Sequence, residues 1–300
     1  MNDTRVDLGT YIVVSIWFGC NNDCTICMLS DMKNHFLPLG FERFKQALHE
    51  IRTEGRFENL ILSGAEVTTC SDLDRYSGFA ASLGWFRKIQ IQTNGRRLAD
   101  NAYLKQLIES GVNEFFISIH GLEEVHDGIT RVSGSFKETM AGIHNLEAYS
   151  VNVMTNTVLT KHNYQDIVPL MIQLCRTKTR EIHLWNFYPM EPRDSKDRIV
   201  NLHEFVDLLH AILPILRAAG KPLVLKSFPE CLATGEPGFF DSRYPATILP
   251  DKFWKRFDES GFGQCYHRQT GICSNRECWG LSRAYIEKYG DERDMLLPVG

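Results

Sequence analysis

Cys20, Cys24 and Cys27 stand in the stretch "WFGCNNDCTICM", separated by three and by two residues. Three thiols so close together can bind metal or exchange disulfides. A closed zinc site needs four ligands, and the nearest candidate for a fourth is His35. A redox Cys-x-x-Cys pair would use Cys24 and Cys27 and leave Cys20 idle. A cubane held by three thiolates employs all three and leaves one iron open to bind something else, which is what a catalytic metal site requires. A second group, Cys231, Cys265, Cys273 and Cys278, falls in "FPECLATG" and "GQCYHRQTGICSNRECWG". Four thiolates make a closed site, either a second cluster or a structural zinc. Cys70 and Cys175 read as small buried hydrophobes.

Groups able to move protons or hold an anion lie elsewhere. His120, His126 and Asp127 occur in "SIHGLEEVHD", Arg131 in "ITRVSGSF", and His183 in "EIHLWNFY". Each is more often a satisfied structural residue than a catalytic one. Trp185 and Tyr188 are candidate walls for a ligand.

The elements that must position these residues alternate. Strand-like runs at 11–18, 59–64, 88–95, 113–121, 151–160 and 181–188 are each followed by a helical pattern, over 40–55, 72–83, 98–111, 135–149, the residues after Asn163, and 202–220. Six βα units in succession predict a parallel α/β sheet with outer helices, curved toward a partial (β/α)6 barrel. Pro214 is expected to bend the last helix. In such folds ligands gather beyond the carboxyl ends of the strands. The loops there are the cysteine loop, "SGAEVT", "TNG" and "SIHG". After about residue 225 the rhythm stops in a segment rich in Pro, Gly and aromatics. Residues 1–225 therefore read as the barrel and 226–300 as a cysteine-rich extension folded against it, with little core of its own unless a metal supplies one.

Bulk composition narrows the classes. The 300 residues carry a net charge of −4 and no Lys/Arg cluster, which argues against nucleic acid as a partner. No signal-peptide run and no span of roughly 18 uninterrupted apolar residues is present, so the expectation is a cytoplasmic protein away from the membrane. The nine cysteines should stay reduced there.

The Cys-x3-Cys-x2-Cys spacing directly after the first strand of six βα units resembles that of the radical S-adenosylmethionine (SAM) enzymes. The resemblance covers roughly residues 11–220. It implies that Cys20, Cys24 and Cys27 hold a [4Fe-4S] cluster whose open iron chelates SAM, and that reductive cleavage yields a 5′-deoxyadenosyl radical. It also implies that this radical abstracts hydrogen from a small-molecule or peptide substrate, with oxidation, epimerisation, crosslinking or rearrangement as outcomes. An electron donor such as flavodoxin or ferredoxin is implied with it. "GAEVT" is similar to the family's Gly-Gly-Glu-Pro-Thr motif, with Gly64, Ala65 and Glu66 at the SAM amino group and Glu66 as its carboxylate partner. Ala65 replaces the second glycine and Val67 the proline. Thr93, Asn94, Ser118 and Asn156 match positions near the SAM carboxylate and ribose. Ile26 stands where an aromatic residue often lies beside adenine. The tail resembles the extensions that carry an auxiliary [4Fe-4S] cluster, although it lacks the longer cysteine pattern of peptide-maturing tails. The short N-terminus sets the expectation of neither a winged-helix peptide-recognition domain nor a cobalamin domain in this chain. Two other expectations are a non-catalytic zinc or Fe-S binding protein, and the same barrel transferring another fragment of SAM.

Overall fold

The computed structural model describes residues 7–190, 196–232, 239–241, 243–261, 263–275 and 277–297. Eight strands form one sheet: β1 (Tyr11–Trp17), β2 (Asn59–Gly64), β3 (Lys88–Thr93), β4 (Glu114–Ser118), β5 (Asn152–Leu159), β6 (Glu181–Asn186), β7 (Leu223–Lys226) and β8 (Ala246–Ile248). Their order is β7-β6-β5-β4-β3-β2-β1-β8, and every pairing is parallel. The first seven are neighbours in space in the order they occur in the chain, as successive crossovers of one hand require. The sheet curls into a half-barrel with helices outside it. These are α1 (Phe41–Glu54), α2 (Leu73–Ser82), α3 (Asn101–Glu109), α4 (Glu123–Thr130), α5 (Ser135–Leu146), α6 (Ile167–Cys175) and α7 (Leu202–Ala218). The tail adds α8 (Asp251–Glu259), α9 (Tyr266–Gln269) and α10 (Arg283–Tyr289).

Side-chain alternation along the strands separates two faces. Ile12, Val14, Leu60, Leu62, Ile89 and Ile91 point outward and join the main core beneath the helices. α1 shows the match from the other side: Phe44, Leu48 and Ile51, spaced by four and three residues, are the buried stripe. It stops at Gly55, whose φ of 71° lets its N–H return to the Ile51 carbonyl. Truncating any one of the three to Ala should cost about 2–5 kcal/mol. The concave face is different. Tyr11, Val13 and Ile61 make a small apolar cluster there, and buried Ser63, Gln90, Glu114, Glu181 and His183 share that side with Phe116 and Met154. Polar groups kept inside a sheet need partners or a ligand.

Several elements depart from the sequence expectation. The helix predicted over 98–111 begins at Asn101, because the Asp100 carboxylate caps the Ala102 and Tyr103 N–H groups. α4 occupies a segment to which the sequence pattern assigns no element, where Gly128 and two leading glutamates mask a single apolar pair, Val125 and Ile129. β7 and β8 extend the sheet beyond six strands, and β8 comes from the tail to pair with β1 at Ile12–Val14. α7 runs through Pro214, as the helix expected over 202–220 does. The stretch Lys196–Ala218 is long and apolar enough to cross a membrane, an 18-residue window of it having a mean hydropathy of 1.5. Its apolar face, including Phe205, Leu209 and Ile212, is instead buried in the core.

Candidate functional site

The cysteine loop starts where β1 loses its register with β2, between Ser15 and Trp17. Such an irregularity turns a strand end away from its ladder. The Gly64 backbone, at φ 144°, lies so close to the Trp17 carbonyl that a Cβ would fall 1.8 Å from its oxygen, so only glycine fits. Ala65 N–H then bonds to the Trp17 carbonyl at 2.8 Å and Glu66 N–H to the Gly19 carbonyl at 3.0 Å. The far side of the loop is held by α4, whose Thr130 and Ile129 carbonyls accept from Asp23 and Thr25 at 3.0 and 2.8 Å. Arg96 clamps it through the Asn21 carbonyl and Asn22 Oδ1, and Arg198 through the Thr25 carbonyl. A loop fixed on both sides holds its thiols in place before any ligand arrives.

Cys20, Cys24 and Cys27 line a cavity of about 210 Å³. Gly64, Ala65 and Glu66 line it from the end of β2, and Thr93 and Asn94 from β3. Ser118, Asn156 and Ile26 complete the group, so every residue proposed for SAM converges on one space. Glu66 is 1 % exposed. Its carboxylate accepts from Thr68 N and Oγ1 at 3.0 and 2.6 Å, from Thr93 Oγ1 at 2.7 Å and from Asn94 N at 2.6 Å. Burial pushes its pKa up, and the four donors oppose that shift. No described Lys, Arg or His forms an ion pair with it. The Oδ1 of Asn156 is buried without a partner. A cation ringed by further hydrogen-bonding groups would satisfy both, which is what the ammonium of an amino acid bears. Burial lifts the Cys20 thiol to about 11 and the Cys24 thiol to about 12, so a bound metal must displace these protons. Lys33, which the sequence reading passes over, also lines the cavity, with its Nζ 2.7 Å from Asp23 Oδ1 and 2.8 Å from the Asn22 carbonyl.

The sequence pattern of the radical SAM superfamily matches residues 14–174. The chain belongs to that superfamily. An AdoMet-dependent heme synthase of Methanosarcina barkeri is 26% identical over 185 residues, covering 60% of this chain and 51% of the relative. The sporulation killing factor maturation protein SkfB of Bacillus subtilis is 24% identical over 155 residues, covering 52% of this chain and 37% of the relative. Among solved structures, Streptococcus suis SuiB bound to its precursor peptide SuiA aligns with a TM-score of 0.60 at 14% identity, over 94% of this chain and 61% of that one. The chain thus spans about half or less of the length of these curated relatives.

The acid–base candidates are distributed unevenly in the structure. Only His120 lines the cavity. Its Nδ1 accepts from Val158 N at 3.2 Å, so the ring proton resides on Nε2, and burial draws its pKa down to about 3. It is a fixed neutral donor at physiological pH. His126 accepts from His120 N at 3.0 Å and is likewise pulled down by burial, to about 4. Asp127 accepts from Gly134 N, Ser135 Oγ and Phe136 N and thereby starts α5. Arg131 is exposed and pairs with Asp23 at 3.3 Å. His35 is exposed as well. Tyr188 is buried and donates to the Gly280 carbonyl at 3.0 Å, and Trp185 lines a second cavity.

The second cysteine group is assembled from separate places: Cys231 after β7, Cys265 and Cys273 on either side of α9, and Cys278 before α10. Burial raises the Cys231 thiol to about 12, and the charges of Cys278, Cys265 and Cys273 each add to the shift. Cys231 thus lies within electrostatic reach of the other three. The Cys278 sulfur accepts N–H bonds from Glu230 at 3.5 Å and Gly280 at 3.4 Å, donors that favour a thiolate. All nine cysteines are free thiols. Among the described residues no three His, Cys, Asp or Glu side chains are close enough to share a single metal ion.

Proposed function

We propose that this chain reductively cleaves SAM at a [4Fe-4S] cluster held by Cys20, Cys24 and Cys27 and uses the resulting radical to take hydrogen from a small-molecule or peptide substrate. The observation that carries this reading is the buried Glu66 carboxylate, supplied with four hydrogen bonds and no cation, on the cavity that the three thiols line. Glu66 holds the SAM ammonium, Gly64 and Ala65 let the backbone approach it, and Asn156 and Ser118 take polar groups on the opposite wall. Thr93 and Asn94 orient Glu66 through their donated bonds. Bound there, the cluster and SAM supply one-electron cleavage of the sulfonium and a 5′-deoxyadenosyl radical. The residues around them keep water out and fix the geometry. His120 offers an N–H without changing charge.

We assign a second [4Fe-4S] cluster to Cys231, Cys265, Cys273 and Cys278 in a tail spanning 226–300. The influence of Cys278, Cys265 and Cys273 on the Cys231 thiol and the N–H donors at Cys278 support this. An electron donor of the flavodoxin or ferredoxin kind would feed the first cluster, and free thiols suit a reducing, cytoplasmic setting. The relatives named for heme synthesis and for maturation of a killing factor suggest either a cofactor precursor or a peptide as substrate.

Anaerobic reconstitution with iron and sulfide, followed by electron paramagnetic resonance with and without SAM, tests both assignments. About eight irons per chain, with one reduced signal altered by SAM, is the expected result. No iron with bound zinc would overturn the enzymatic reading. Chromatography of the products separates hydrogen abstraction, which leaves 5′-deoxyadenosine, from transfer of another SAM fragment.

A further inference from the structure

Among the described residues that line the cysteine cavity, Glu66 is the one carboxylate and Lys33 the one Lys or Arg. The turn that carries Lys33 is fixed on both sides of it. Met32, before it, is 1 % exposed and packs with Phe18 and Phe253 in a small core of its own. Asn34, after it, has a φ of 62°, a left-handed conformation that asparagine tolerates better than most residues. From there Asn34 N–H donates to the Phe18 carbonyl at 2.8 Å, and Asn34 Oδ1 accepts from Cys20 N at 3.2 Å. The chain beyond the third cysteine is thereby tied back onto the first.

The Lys33 side chain is held as firmly as its backbone. Its Nζ donates to Asp23 Oδ1 at 2.7 Å and to the Asn22 carbonyl at 2.8 Å, both between the first and second cysteines. The two charges of this pair are not equally placed. Asp23 is 67 % exposed and also meets Arg131, so water and a second cation screen it, whereas the Lys33 side chain is only 12 % exposed. Burial opposes the lysine charge, yet the bond to Asp23 and the charges of Asp23, Cys20 and Cys27 hold its pKa above the usual lysine value. In return its charge works to lower the Cys20 and Cys24 thiols, which burial otherwise raises. One fixed ammonium therefore lies within electrostatic reach of all three thiols.

The consequence is a matter of charge. A cluster held by three thiolates takes up one electron from a low-potential donor of the flavodoxin or ferredoxin class; no bond breaks, and the site gains one negative charge. A fixed positive charge beside it stabilises the more negative form and so raises the reduction potential. We propose that Lys33 is the electrostatic counterweight of the open cluster, its ammonium easing one-electron reduction at Cys20, Cys24 and Cys27 while Asp23 and the Asn22 carbonyl hold it in place. The inference rests on the reading that these three thiols carry a [4Fe-4S] cluster.

The test is a redox titration of the anaerobically reconstituted full chain with titanium(III) citrate, read by electron paramagnetic resonance. It is run without SAM, so that pairing of Lys33 with SAM cannot contribute, and it follows the signal that SAM alters in a parallel sample. Lys33→Met and Lys33→Gln should each be about ten-fold harder to reduce, a midpoint about 59 mV lower. Lys33→Arg keeps the charge and should stay within about two-fold of wild type. Lys137→Met, which removes an exposed charge on α5, should do the same. Should Lys33→Met fail to fold, Lys33→Gln decides, because its amide can still donate to Asp23 or to the Asn22 carbonyl. Unaltered midpoints in the neutral variants, or an equal drop in Lys33→Arg, would overturn the proposal. So would loss of iron from both neutral variants, which would make Lys33 a strut of the loop and nothing more. If the wild type forms no cluster, the reading beneath falls and the inference with it; if the cluster forms and its midpoint ignores Lys33, only the inference falls.

Discussion

Two groups of cysteines in one chain are held in opposite ways. Cys20, Cys24 and Cys27 sit on a loop pinned between β2, α4 and two arginines, above a core that is complete without them. Cys231, Cys265, Cys273 and Cys278 hang on α9, of only four residues, and on single bridges such as Leu232 to Leu296 and Gln264 to Leu281. In the first region the fold arranges the ligands. In the second, Cys231, Leu232, Leu281, Tyr285 and Leu296 tie the segment to the main core, and a metal bound there would add to what short helices and isolated bridges supply.

The contrast is broken most decisively at the first site. Replacing Cys20, Cys24 and Cys27 by Ala should remove about four irons and abolish SAM cleavage, yet shift the thermal midpoint little. Iron analysis and calorimetry read the two effects, and undiminished cleavage would end the mechanism. Cys265→Ala with Cys273→Ala should do the reverse: about four irons are lost, the first signal survives, and limited proteolysis now cuts the tail. Loss of zinc in place of iron would disprove the second cluster. Glu66→Gln keeps the size and removes the charge, so SAM affinity measured by titration should fall about ten- to hundred-fold while cluster iron stays. An unchanged affinity would mean that Glu66 is not the ammonium partner.

The smallest effect is expected at the seam between the regions. Burial lowers Lys226 from 10.5 to about 8, opposed by its pairing with Asp241. Between those values the unfolded chain binds more protons at this group than the folded one, so its contribution to stability rises with pH. Thermal midpoints of wild type and Lys226→Met, compared from pH 8 to about 10.5, should diverge in favour of wild type. A constant difference would show that Lys226 does not titrate in that window.

The first region is also the one legible in sequence. Strands buried on both faces of an α/β sheet read as continuous apolar runs, which is why "YIVVSIWF" and "NLILSG" announce themselves and place the cysteine loop and Glu66 at strand ends. The clamps were hidden, since Arg96, Arg198 and Lys33 act from segments with no periodicity and meet the loop only through folding. α4 was hidden by its glycine. β7 and β8, of four and three residues, are too short for any pattern to register.

The pairing of β8 with Ile12–Val14 makes the tail the outer neighbour of the strand that delivers the cysteine loop. A chain ending after β7 would leave the β1 backbone as an open edge, ready to zip onto any other extended segment, including a second copy of itself. The tail is in that respect a chaperone built into the polypeptide, and its removal should register in light scattering before it registers in chemistry.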